Sequence, residues 1–124
     1  MTQSGAQEPL VSELRLNPQK SELAVTFTDG VAGRLSAEFL RVVSPSAEVQ
    51  GHSPSERKLV PGKRNVTIRS IEPVGNYAVR LVFSDGHNTG LYSWHYLYEL
   101  TRRKDDLWNR YLQELAAADA SRDR

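Results

Sequence analysis

The chain has 124 residues, 39% hydrophobic and 25% charged, with 16 Lys and Arg against 15 Asp and Glu for a net charge of +1. This length predicts one domain with a modest core, and the charge balance argues against a dedicated nucleic-acid binder. The chain has no Cys, which excludes disulfides, thiolate metal sites and cysteine nucleophiles, and no apolar run approaches the ~18 residues of a membrane span.

Residues 1–8 are small and polar, lack the basic start of a signal peptide, and read as a flexible tail on a cytoplasmic protein. Residues 11–16 suit a short strand, closed by the turn signal Asn17-Pro18. From Ser21 the alternation is clean, with Leu23, Val25 and Phe27 on one side, which predicts a half-buried strand. Thr28-Asp29-Gly30 is a hairpin turn, and residues 31–35 return. At Ser36 the period changes. Ser36 suits an N-cap, Glu38 sits where the helix dipole favours it, and Phe39, Leu40 and Val43 share a face, so a short helix is predicted before Pro45.

Residues 44–64 carry three prolines, two glycines and scattered apolar residues, which predicts a long loop. Val49, Leu59 and Val60 are the side chains able to pin it by burial. Residues 66–71 read as a strand with a bulge near Arg69-Ser70, because Val66 and Ile68 are out of phase with Ile71. After a turn at residues 73–76, the alternation of Tyr77, Val79, Leu81 and Phe83 predicts the strongest strand. Asp85-Gly86 is a second hairpin turn with a return over 87–91. Ser93 caps a helix to about Arg102, and Asp105 or Asp106 starts another carrying Leu107, Trp108, Tyr111, Leu112 and Leu115. Residues 119–124 read as a second flexible tail, leaving one domain over 9–118. Hairpins followed by helices predict an α+β fold, an antiparallel sheet with helices on one face in a two-layer sandwich. Beyond the two Asp-Gly turns the flanking sequences do not read as an internal repeat.

No P-loop, dinucleotide glycine pattern, zinc-protease helix or nucleophile elbow is present. Asn65-Val66-Thr67 is a glycosylation sequon that matters only in a secreted protein. His52, His87 and His95 lack the spacing of a ligand pair, and surface or capping roles compete with a shared metal. Arg57, Lys58, Lys63 and Arg64 suit either an acidic contact or a solvated loop. Trp94, Tyr96, Tyr98, Trp108 and Tyr111 are expected in the core or at its rim, with Tyr92 or Tyr96 the candidate for exposure.

The segment Phe83-Ser84-Asp85-Gly86-His87-x-x-Gly90-x-Tyr92-Ser93-Trp94, with Asp29-Gly30 and Phe39-Leu40-Arg41 upstream, resembles the gamma-butyrobetaine hydroxylase-like N-terminal domain. Gly75-Asn76-Tyr77-Ala78 and Trp108-x-x-Tyr111-Leu112 fit its small bacterial members, and the likeness covers residues 9–115. The resemblance implies a domain with no established activity of its own. It is found alone, or fused to 2-oxoglutarate-dependent oxygenases or to iron–sulfur carrier ATPases. In the oxygenases a Cys-Pro-Cys-x-x-Cys segment and a distant His hold a structural zinc. Here the matching positions are Ser44, Ser46, Val49 and His87, so the resemblance implies a degenerate zinc site with no metal and no cofactor.

The reading that follows is a non-catalytic module that binds a protein partner, with no nucleic acid, no membrane, and a monomer as the default. Asp85, His87, Asn88 and Tyr92 are expected to form the partner surface, on a rigid turn leading into a capped helix. Two alternatives remain: a metal site using His87 with His52 or His95, and an enzyme using His87 and Asp85 as an acid–base pair.

Overall fold

The computed structural model describes residues 9–124, so the expectation for residues 1–8 lies outside the described residues. The first half builds β1 (Val11–Leu16), β2 (Glu22–Phe27) and β3 (Ala32–Ser36), then α1 (Ala37–Val42). The second half builds β4 (Ile68–Val74), β5 (Ala78–Phe83) and β6 (Leu91–Ser93), then α3 (Trp94–Arg102) and α4 (Lys104–Ala117). Between the halves lie α2 (Ala47–Gln50) and a 3₁₀ turn (Pro54–Glu56). The fold is α+β, as predicted, with its strands divided between two antiparallel sheets ordered β1-β2-β3 and β4-β5-β6. A backbone bond from Ile68 N to Lys20 O at 2.8 Å links the two sheets. Among the described residues no helix is long and apolar enough to cross a membrane.

Each boundary has a local cause. Ser36 and Ser93 both cap helices, accepting from the amides of Phe39 and Tyr96. The register shift between Ile68 and Ser70 is the bulge that the phase change required. β4 runs further than predicted, through Pro73. Pro can stay in a ladder at an edge, and β4 pairs only with β5. The loop over residues 44–64 gains α2 because Ser46, following Pro45, caps it by accepting from Glu48 N.

The two halves repeat one plan, a correction to the absence of an internal repeat expected from the sequence. Leu23, Val25 and Phe27 occupy β2 as Val79, Leu81 and Phe83 occupy β5, all buried. Both first strands carry a register shift. In both halves the third strand ends on the Ser that caps the following helix. The repeat is hidden in sequence because buried positions accept any apolar side chain of suitable volume. Both halves feed one core, in which Leu23, Phe27, Leu35, Leu81, Phe83 and Leu97 are almost fully buried. Burial is worth about 1.5–3 kcal/mol for each such side chain. A second cluster joins Val42, Tyr111 and Leu115, with Leu59 and Val60 of the long loop packed against it.

The C-terminal segment 119–124, expected to be free, is docked. Gly62 N donates to Ser121 O and Arg64 N to Arg122 O, each at 3.0 Å, and Arg122 forms a bidentate pair with Glu38. The basic residues of the long loop are likewise not simply solvated: Arg57 pairs with Glu114, Lys63 with Asp85 and Arg64 with Asp123.

Candidate functional site

Ser44 ends the first repeat just beyond α1, and His87 follows the Asp85-Gly86 turn of the second. The fold brings them together. Ser44 Oγ lies 2.8 Å from His87 Nε2, and Ser46 N donates to Ser44 Oγ at 3.2 Å. Ser46 Oγ meets Thr89 Oγ1 at 2.6 Å and also caps α2. Glu48, on α2, holds the other ring nitrogen, with Oε1 3.2 Å from His87 Nδ1. A carboxylate there fixes the proton on Nδ1, so Nε2 accepts from the Ser44 hydroxyl. Gln50 Nε2 donates to Ser44 O at 2.8 Å, and Val49 is 2% exposed. Gly90 packs so closely that a Cβ there would sit 2.5 Å from Ser44 Oγ.

Beneath the ring, Asp85 is a charge hub. Its Oδ1 accepts the His87 amide at 3.1 Å, and its Oδ2 faces Arg41 Nε at 2.8 Å and Lys63 Nζ at 2.7 Å. Burial alone would raise the Asp85 pKa, but the bonds from Lys63, the His87 amide and Arg41 outweigh it and lower it to about 2. Burial lowers the His87 pKa, reinforced by Arg41 and opposed by Glu48 and Asp85, so the ring is neutral at pH 7.

The positions that the family resemblance assigned to zinc, Ser44, Ser46 and His87, are therefore neighbours, with Val49 buried on the adjoining α2. Their donor set does not fit a structural zinc ion. Two hydroxyls stay protonated at neutral pH, Val offers no donor, and His87 Nε2 is engaged by Ser44. Hydrogen bonds hold the loop at the place where thiolates would otherwise ligate. Among the described residues no group of three or more His, Asp and Glu could hold a metal.

The sequence Ser44 Oγ, His87 Nε2, His87 Nδ1, Glu48 has the order of nucleophile, base and orienting acid in serine hydrolases. It has no reactive face. Ser44 is 0% exposed, enclosed by Gly90 and bonded by the Ser46 amide. The alternative reading of His87 and Asp85 as an acid–base pair is not favoured by the geometry, in which Asp85 accepts from the His87 backbone amide.

The four residues expected on a partner surface differ in exposure. Tyr92 is 0% exposed, and its hydroxyl donates to Leu40 O at 2.5 Å, since a strand facing the core turns every second side chain inward. His87 is 7% exposed. Asn88 and Thr89 face solvent, and beside them Leu91 is 47% exposed. Leu91 was not singled out from the sequence. Its signal would have been an apolar residue out of phase with Tyr92 on a short strand. Tyr96, the other candidate for exposure, is half-buried and bonds Val43 O.

Fold and site together define a small two-repeat α+β domain with a hydrogen-bonded Ser–His cluster packed beneath an Asp-Gly turn. The chain belongs to the family described as gamma-butyrobetaine hydroxylase-like, N-terminal, whose model matches residues 14–98. It is similar to two NMR solution structures. One is 48% identical with a TM-score of 0.81, covering 94% of this chain and 92% of that one. The other is 50% identical with a TM-score of 0.80, covering 98% and 91%. A crystal structure of a DUF971-family protein of unknown function from Acidithiobacillus ferrooxidans is 41% identical with a TM-score of 0.60, covering 75% of this chain and 91% of that one. No curated protein matches the chain.

Proposed function

We propose that this chain is a non-catalytic module that binds another protein in the cytoplasm through the outer rim of the loop over residues 84–91. The observation that supports it is a division of labour within one loop. Its reactive groups, His87 and the Asp85 carboxylate, are committed to internal bonds, while Asn88 and Leu91 project from the anchored backbone. A surface fixed in advance loses little conformational entropy on binding. An apolar centre at Leu91 with a polar rim is the composition of a protein contact, and the charge balance does not favour nucleic acid. By fold-level analogy with the composite proteins that carry this domain, the partner belongs to iron–sulfur or oxygenase-related assembly.

The test is affinity capture from the native cell extract, with wild-type protein beside Leu91→Asp and Asn88→Ala. Partner recovery should fall in both variants while thermal unfolding stays within a few degrees of wild type. Undiminished recovery by Leu91→Asp would remove this surface from consideration.

A further inference from the structure

Glu38 is a carboxylate in the first turn of α1 and is only 5% exposed. Its bonded cation comes from the far end of the chain. Arg122 Nε and Nη2 reach its two oxygens at 2.8 and 2.6 Å, and the same guanidinium lies 5.2 Å from the centroid of the Trp108 ring. A planar cation gripped between a carboxylate and an indole face is a specific arginine receptor.

The remaining walls are suited to a peptide. Gly62 N and Arg64 N present donors to two successive carbonyls, those of Ser121 and Arg122. Gly62 has φ +75°, and a Cβ there would sit 2.9 Å from the Arg124 backbone, so glycine lets the second chain lie close. The Arg64 guanidinium pairs with Asp123, the acid that follows the seated arginine. The segment itself brings little apolar anchorage. Ala120 is its one hydrophobic residue packed on the second cluster, and the Arg64–Asp123 pair is about half exposed. Little apolar surface therefore opposes its release, and the Glu38–Arg122 pair is its main hold. Opening would leave Glu38 buried without its cation, which favours exchange of one arginine for another over a vacant cleft.

We propose that the cleft between α1, α4 and residues 62–64 is a peptide-docking site, filled in cis by residues 120–124, that takes from a partner protein an extended segment carrying an arginine followed by an acidic residue. The tethered segment competes at an effective concentration on the order of millimolar, so the wild-type chain binds such a segment weakly until its own tail is displaced. The cleft is separate from the Leu91 surface and does not depend on it.

A fluorescent peptide with the sequence of residues 117–124 serves as the probe, titrated by polarisation into the full-length chain. Arg122→Ala should bind it about tenfold or more tightly than wild type, because the internal competitor is weakened. A probe with Ala at its first arginine should not bind, and adding Glu38→Gln to the Arg122→Ala chain should abolish the gain. Circular dichroism checks folding. If Arg122→Ala does not fold, Asp123→Ala, which loosens only the exposed pair, should still bind the probe about twofold or more tightly than wild type. Equal affinity of the wild type and the folded variants, or no binding by any of them, overturns the proposal. So does a concentration-dependent wild-type dimer that Arg122→Ala dissolves, since the cleft would then receive the tail of a second copy.

Discussion

The same pentapeptide plan, Phe-hydroxyl-Asp-Gly-x, occurs once in each half and folds the same way. Val31 N donates to Asp29 Oδ1 at 3.0 Å and His87 N to Asp85 Oδ1 at 3.1 Å, while Gly30 and Gly86 sit at φ +90° and +92°. Thr28 and Ser84 each accept an amide from a neighbouring segment, from Leu10 and Thr67. Even the outer carboxylate oxygens are used alike. Tyr98 on α3 donates to Asp29, and Arg41 at the matching place on α1 donates to Asp85, so each half's helix ties down the other half's turn. The halves part at the next residue. The first turn leads through Val31 straight into β3, and the second leads through His87 into a loop that closes on Ser44 and Glu48. Local sequence decides the turn, and the partner that tertiary structure brings decides its use.

Substitutions at paired positions test whether the two turns are equivalent. The largest effect is expected at Tyr92, which fills the place that Leu35 fills in the first half, both 0% exposed. Tyr92→Ala should cost about 3–5 kcal/mol in denaturant unfolding, as loss of a large buried side chain does. Tyr92→Phe should cost about 1 kcal/mol, the bond to Leu40 O alone. Wild-type stability in Tyr92→Ala would mean that the strand is not packed as described.

Next comes His87→Ala, expected to cost about 2–3 kcal/mol because it strands the Ser44 hydroxyl in the core. Val31→Ala, at the matching but half-exposed position, should cost under about 1 kcal/mol. The pKa of His87 is lowered by folding, so its contribution is complete above about 6.5, the unfolded value, and drains away as pH falls through the folded value. His87→Gln should flatten the stability profile below pH 6.5. An unchanged profile would contradict the buried, neutral ring.

Asn keeps the turn geometry at either Asp but removes the charge. Asp85→Asn should cost about 2 kcal/mol, since Arg41 and Lys63 lose a charged acceptor, and Asp29→Asn, facing a tyrosine hydroxyl, should cost less. The Asp85 pKa is lowered to about 2, so its stabilisation is present above about 4 and lost as pH falls through 2. The gap between wild type and Asp85→Asn should therefore close on acidification from pH 5 to 2. The smallest contrast is at the glycines. A Cβ added at Gly30 or at Gly86 would meet no atom within 4 Å, so Ala should cost about 1–2 kcal/mol of backbone strain at each. Unequal costs would show that the turns are not equivalent.

The secondary-structure elements were legible in local pattern. Period-two alternation located β2 and β5, serines and the change of period located the caps of α1 and α3, and a phase error located the bulge in β4, because each depends on a few adjacent residues. Resemblance to the family named the cluster positions Ser44, Ser46 and His87. Features that depend on distant partners emerge with the folded chain. The repeat of the two halves lies in packing and backbone bonds, which many apolar sequences satisfy. Tyr92 is buried because β6 pairs with β5 in the register Val79↔Tyr92, and three residues of strand are too few to show which face is inward. Glu38 looks like an ordinary dipole-favoured acid until Arg122, 84 positions away, covers it. Such pairings are set by chain closure over long separations, where local pattern carries no information and the burial of a charge supplies the constraint.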